Sequence, residues 1–547
     1  MNLKNHALPA ILSAFLLWLA WPPIPYTAPL LLIGLVPLLI AISRIKADDR
    51  QKKGKRIFLT AGLCFLIWNT ACIYWVYNAI SADNNAVVAL LVSLIPFGLG
   101  ALLMTFAFWL YYQLGRRAGQ ITAYAGLISF YISMEYLHQS WDLAFPWMTL
   151  GNGFAGTHQL VQWYEYTGVY GGSFWVLLSN ILAFEVYRTM KDPAQAKRKI
   201  RTIAAFAAVV ILPAAISLWS YSAYTEKSVP INVVAVQPNI DPYVKFGGMS
   251  PSQQLDVLTG LTDSVAQVNT EYFIWPETAI PNYGNEDRIR SNNDFIRLQD
   301  FLTKYKNGTL ITGMESIKQY QQQETLSAKY DANSGSYYDN FNAAIQIENS
   351  ANVQFYHKSK LVPGVEKLPF PKVMSFLSPV FAQLGGSVGG WGWQENPTVF
   401  YAQSGVGVDP VICYESLWGE WIGRSVKDGA QFIAIITNDG WWGNTSGKDQ
   451  HLLYAKLRAV ETRRWVVRSA NTGISAFINQ RGDITSQTKW WTRTAIKADI
   501  NLNTDLTFYV EYGDVIAKLM CFAGLLLALI IPYKRWTNRN QKQVALP

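Results

Sequence analysis

GVGVDPVICYES, residues 405–416, is an apolar run that ends on a cysteine, Cys413, followed at once by an aromatic and an acidic residue. A short apolar run reads as a β-strand, and Cys413 stands at its C-terminal tip. Between Val229 and Asp499 comparable runs recur as INVVAVQ, YFIWPE, LITGM, NAAIQI, QFIAIITN and ISAFIN. They alternate with amphipathic stretches at Gln253–Val268, Asp287–Tyr305, Leu417–Asp428 and Gln450–Val467, which predicts an α/β domain. In the last stretch Arg458, Glu461 and Arg464 recur at spacings that share a helix face. Ile317–Asp339 reads as a solvent-exposed excursion, and Pro369–Asn396, with Phe370, Phe376, Phe381 and Trp391 among glycines, as an apolar loop suited to be a lid on lipid.

Outward from this domain the chain turns hydrophobic. Half of its 547 residues are apolar and 14% are aromatic, and the long apolar runs crowd before Trp219 and after Val515. Eight spans are expected, at Leu8–Trp21, Pro29–Ser43, Phe58–Tyr77, Val87–Tyr112, Ile121–Leu137, Gly171–Tyr187, Thr202–Ser220 and Val515–Tyr533. Trp21-Pro22-Pro23 offers no small-residue cleavage site, so the first run reads as a helix and not a removed signal. Lys and Arg collect at Arg44 to Arg56, Arg116-Arg117, Arg188 to Arg201 and Lys534 to Lys542, while the intervening loops 22–28, 78–86 and 138–170 have none. By the positive-inside rule both termini face the cytoplasm and the domain lies outside. The expected organisation is residues 1–220 as seven spans, 221–514 as the extracytoplasmic domain, and 515–547 as the eighth span and tail. The net charge of +9 follows from these cytoplasmic loops and calls for no nucleic-acid partner.

Of the four cysteines, Cys64, Cys72 and Cys521 fall in spans, which leaves Cys413 without a disulfide partner in an oxidising compartment. A nucleophilic thiol needs a base or a cation nearby, and acyl transfer also needs a donor where oxyanion charge develops. Glu277 follows the strand-like YFIWP and Lys358 the strand-like VQFYH, so three reactive side chains stand at three strand ends. Taken singly, each has a plainer reading: a small buried hydrophobe, a turn residue and a solvated charge. Glu135 and Glu185 lie near the ends of spans, where pairing, a polar cavity or snorkelling would accommodate them.

The stretches WPETAIP, KLVPGVE and ICYES, with TNDGWWG and RAVETRRWVVRSANTGISAFINQRG downstream, resemble the bacterial apolipoprotein N-acyltransferase family over nearly the entire chain. The resemblance implies a polytopic helical membrane domain carrying a carbon–nitrogen hydrolase (nitrilase-like) αββα sandwich. It implies Glu277 as general base, Lys358 as oxyanion stabiliser and Cys413 as nucleophile, supported by Glu366, Tyr414 and Glu415. Phe246, Trp147, Asn438 and Trp441 fall where substrate contacts are expected. The chain departs from the family in reading LVPGVE where LVPFGE is usual, and in placing Phe246 where tryptophan is common.

The implied reaction passes a fatty acyl chain from a phospholipid, phosphatidylethanolamine in the typical case, to the Cys413 thiol. The thioester is then attacked by the α-amine of the diacylglyceryl-cysteine of an apolipoprotein, in the bacterial inner membrane and without metal or cofactor. A membrane-tethered amidase is the rival reading, because the same three groups hydrolyse amides when water reaches the acyl-enzyme. A transporter is a third, and it lacks the matched pair of interrupted helices that would favour it.

Overall fold

The computed structural model describes residues 6–81, 86–191, 196–241, 248–370 and 390–544. Phe246 and most of the expected lid loop lie outside these residues. The chain divides into two compact units, one of residues 1–74, 90–222 and 514–547, the other of residues 75–89 and 223–513.

The first unit is helical. Among the described residues six helices are long and apolar enough to cross a membrane, at Ala28–Ala47, Lys53–Ile73, Ala86–Ala118, Tyr164–Met190, Ala196–Ala223 and Val515–Thr537. The other two expected spans correspond to the shorter Leu8–Leu19 and to Gln120–Ser140, 21 residues long. Polar side chains repair the backbone where helices break. A 3-10 turn at Ala28–Leu32 gives way to the helix Val36–Ala47, and Asn180 serves both pieces: its amide donates to the Leu31 carbonyl (2.7 Å) and its oxygen accepts from the Leu35 N–H (2.7 Å). Such groups have no water to turn to within a bilayer. Glu135 is buried and accepts from the Leu150 N–H at 2.7 Å, while Glu185 takes Arg188 at 2.6 Å and Arg198 at 3.0 Å. Of the outcomes open to these two carboxylates, pairing describes Glu185, whereas Glu135 is satisfied in a way not foreseen, by a backbone N–H.

Among the described residues the second unit has fourteen strands: β1 Pro230–Gln237, β2 Thr270–Ile274, β3 Ile280–Asn285, β4 Thr309–Tyr320, β5 Lys329–Asp331, β6 Ser336–Glu348, β7 Gln354–His357, β8 Phe400–Tyr401, β9 Gly407–Ile412, β10 Phe432–Thr437, β11 Val466–Ala470, β12 Ala476–Ile478, β13 Ile484–Gln487 and β14 Thr494–Asn501. One sheet runs β14-β1-β2-β4-β6-β5, with β3 on β4 and β7 on β6; the other runs β13-β12-β11-β10-β9-β8. The parallel centre β9-β10-β11 is buried along its whole length, which is why those strands read as continuous apolar runs.

The sheets face one another. Tyr272 on β2 meets Phe432 on β10 at 5.0 Å between ring centroids, and the Ser469 hydroxyl donates to the Val236 carbonyl at 2.7 Å. Helices Pro251–Val265 and Asn293–Leu302 cover the outer face of the first sheet through Leu255, Leu258, Phe295 and Leu298. Helices Gly419–Lys427 and Ser446–Thr462 cover the second through Ile422, Val426, Leu452 and Ala455. The result is the αββα sandwich.

Two local expectations are corrected. The helix expected over Gln450–Val467 ends at Thr462, because Arg463 takes a left-handed φ of +51° and the chain leaves as β11. Arg458 and Glu461 do pair at 2.9 Å, but Arg464 lies beyond the helix and donates to the carbonyls of Ala430 and Asp505. The stretch Ile317–Asp339 is not a simple excursion, since β4 continues to Tyr320 and pairs with β6 from Ser336.

Candidate active site

Glu277 follows β2 by way of Trp275 and Pro276, and the turn it starts needs room. Gly313 of β4 supplies it: the Gly313 N–H donates to the Pro276 carbonyl at 3.1 Å, and a Cβ on Gly313 would stand 2.3 Å from the Thr278 nitrogen and 2.6 Å from the Glu277 Cα. Thr278 itself has φ +47°. The turn thus brings a carboxylate back over the sheet, where it is 7% exposed.

Lys358 follows β7 and is 1% exposed. Its Nζ lies 2.7 Å from Glu366 Oε1 and 3.2 Å from Glu277 Oε1. The Asn342 amide, from β6, donates to the same two oxygens, at 2.8 Å to Glu277 and 3.1 Å to Glu366. The other oxygen of Glu366 accepts from the Val362 N–H at 2.7 Å, so the turn Leu361–Lys367 closes on its own carboxylate. The LVPGVE departure therefore leaves Glu366 on the lysine. Burial disfavours the ammonium, but the charges of Glu277 and Glu366 outweigh it and hold the Lys358 pKa well above that of a free lysine.

Cys413 follows β9 with φ +53°, a left-handed conformation that costs a residue other than glycine about 1–3 kcal/mol. The chain bends there into a 3-10 turn, Cys413–Leu417. Burial and then the Glu277 carboxylate push the thiol pKa up, while Lys358 and a hydrogen bond with Thr437 draw it back. Tyr414 is buried against Trp418, and both Glu366 and Lys358 bear on its hydroxyl electrostatically.

Glu415 is fully buried and works as a clamp. Its Oε1 accepts from the Tyr356 hydroxyl (2.7 Å) and the N–H groups of Ser359 (2.6 Å) and Lys360 (3.0 Å), and its Oε2 from the Ile412 N–H (3.0 Å). The lysine loop and the cysteine turn are thereby fastened to one carboxylate. Burial raises its pKa against these four donors.

Of the remaining expected site residues, Asn438 is buried and accepts from the Thr472 hydroxyl at 2.9 Å, and Trp441 is 38% exposed. Trp147 belongs to the helical unit, where it is buried and stacked on Phe145. Glu277, Lys358, Glu366 and Cys413 come together, with Tyr414 and Glu415 adjoining. Sequence reasoning missed Asn342, Tyr356 and Thr437. Asn342 left one trace, an amide, like Gln346, inside the otherwise apolar strand FNAAIQI.

A buried cysteine beside an ammonium held by two carboxylates, on facing sheets, defines a carbon–nitrogen hydrolase domain. The carbon-nitrogen hydrolase family matches residues 232–504, and the apolipoprotein N-acyltransferase N-terminal domain matches residues 13–182. Proteins named apolipoprotein N-acyltransferase from Chlorobaculum tepidum, Geobacter metallireducens and Pseudomonas aeruginosa PAO1 are similar along the chain. They are 29%, 26% and 29% identical, over 96%, 98% and 83% of this chain and 96%, 97% and 83% of their own. Solved structures that superpose in part include Saccharomyces cerevisiae Nit3 (16% identity, 50% of this chain and 90% of that one, TM-score 0.35) and an amidase from Nesterenkonia sp. (14%, 55% and 98%, TM-score 0.36). The chain belongs to the apolipoprotein N-acyltransferase family and is an acyltransferase with membrane helices.

Proposed function

We propose that the chain acylates the N-terminal amine of diacylated apolipoproteins through a Cys413 thioester, with a phospholipid, phosphatidylethanolamine in the first instance, as donor. The observation that carries this reading is the Lys358 ammonium, buried between Glu277 and Glu366 and bearing on the Cys413 thiol. Glu277 takes the thiol proton as sulfur attacks the ester carbonyl, and Lys358 with the Tyr414 backbone N–H stabilises the oxyanion. The intermediate collapses with loss of the lysophospholipid alkoxide, which takes the proton from Glu277. The lipoprotein α-amine then attacks the thioester, Glu277 accepts its proton, and sulfur leaves and is reprotonated as the amide forms. Each half-reaction returns the site to its starting protonation.

Residues 221–514 are the extracytoplasmic domain in this scheme, held at the outer face of the inner membrane by the spans in 1–220 and 515–547, with both termini cytoplasmic. The charge asymmetry of the loops supports that orientation. Intact-mass measurement on wild type and Cys413→Ala, incubated with phosphatidylethanolamine and then a diacylated lipopeptide, tests the chemistry. A fatty-acyl adduct on wild type alone, discharged to the lipopeptide, is expected. No adduct would sink the proposal, and discharge to free fatty acid with lipopeptide present would make the enzyme a hydrolase.

A further inference from the structure

Beneath the candidate nucleophile lies a group of charges for which the reaction above has no use. His451, on helix Ser446–Thr462, is completely buried, as are Asp439 and Arg468. One edge of the imidazole faces the Cys413 turn, with Nε2 3.2 Å from the Cys413 carbonyl oxygen and 2.9 Å from Ser416 Oγ. On the other edge Nδ1 is 3.0 Å from Asp439 Oδ1 and 3.0 Å from Arg468 Nη2. Arg468 also reaches Asp439 Oδ2 at 2.5 Å, and the Trp442 ring stands edge-on to the imidazole at 5.2 Å. Thr437 donates its hydroxyl to Asp439 Oδ1 at 3.0 Å.

A carbonyl oxygen only accepts, so the approach of Nε2 to Cys413 is favourable when that nitrogen bears hydrogen. Two protonation arrangements supply it. In the imidazolium, Nδ1–H donates to Asp439; in the neutral ring protonated at Nε2, Nδ1 accepts from Arg468. The remaining tautomer sets a lone pair against the carbonyl oxygen. Both favourable forms therefore hold the same oxygen in the same way.

We propose that His451, set by Asp439 and Arg468, is a positioning residue: it holds the left-handed Cys413 backbone through its carbonyl and so aims the thiol at Glu277 and Lys358. The proposal rests on the reading of Cys413 as nucleophile. A cysteine after a β-strand relaxes toward negative φ unless something retains it. Here the grip is Nε2 on the carbonyl, with the ring itself held by Asp439 and Arg468.

Glutamine and asparagine separate this role from mere filling of the cluster, because a Gln amide nitrogen reaches the place of Nε2 and an Asn amide nitrogen only that of Nδ1. The rate of acyl-enzyme formation is measured in a single turnover of the full chain with saturating phosphatidylethanolamine. His451→Gln should stay within about 10-fold of wild type, whereas His451→Asn and His451→Ala should each lose about 100-fold with the donor KM unchanged, the scale of a misaimed nucleophile. An Asn variant as fast as the Gln variant at matched melting temperature, or an Ala variant at the wild-type rate, overturns the proposal. In the wild type, 15N-histidine spectra should show a protonated Nε2 on the buried ring. An unprotonated Nε2 overturns the proposal without recourse to any variant. An adduct on Cys413→Ala would instead refute the reading of the nucleophile, whatever the histidine variants do.

Discussion

At the scale of the residue, the charges around Cys413 pull in opposite directions, and two substitutions separate them. Glu277 raises the thiol pKa and Lys358 lowers it. Alkylation by iodoacetamide follows the thiolate, so its pH profile should move to higher pH in Lys358→Met and to lower pH in Glu277→Gln. Acyl transfer should be lost in both, since the proposed scheme uses Lys358 as the oxyanion cation and Glu277 as the base. A profile unmoved by either change would show that the thiol does not sense these groups. Gly313 makes a second point: the three atoms a new Cβ would strike all belong to backbone, and none can swing aside. Gly313→Ala should cost about 1–3 kcal/mol of stability by overpacking and, by displacing Glu277, slow acylation about 100-fold. Denaturant titration and single-turnover mass spectrometry read the two effects apart.

Between elements, Glu415 joins the turn after β9 to the loop after β7. In Glu415→Gln one side-chain oxygen is replaced by an N–H donor, which must face either the Ile412 N–H or the three donors on the other side. A buried donor left opposing a donor costs about 1–3 kcal/mol, to be read as a lower unfolding midpoint, and Lys358 should lose its register with Cys413. Unchanged stability would mean that water serves these groups. The ends of strands were legible in the sequence because an apolar run and its abrupt stop are local, and Glu277, Lys358 and Cys413 each stand at such a stop. Asn342 was not, because which neighbour a strand residue meets depends on sheet order, and the β2-β4-β6 pairing that sets it near Glu277 is long-range. Nor was the end of helix Ser446–Thr462: its helical period runs on to Arg464, and the break at Arg463 answers to β11 pairing with β10.

For the whole molecule, the two units carry different burdens. The helical unit satisfies its broken backbone with Asn180 and Glu135, and the sandwich buries the ionic groups Lys358, Glu277, Asp439 and Arg468. Near Cys413 one ammonium faces two carboxylates; Lys358 and Glu277 are buried and Glu366 is partly so. When Glu277 takes a proton from the thiol, one anion vanishes as another is born beside the same ammonium. The step is electroneutral over the cluster, so no counterion need follow it, and its rate should be nearly flat between about 50 and 500 mM salt with a zwitterionic donor in neutral detergent. A steep salt dependence of single-turnover acylation would show that charge crosses the boundary of the cluster. In an energised bilayer the same closure would leave acylation indifferent to voltage, letting it proceed at one pace whether the cell is charged or depolarised.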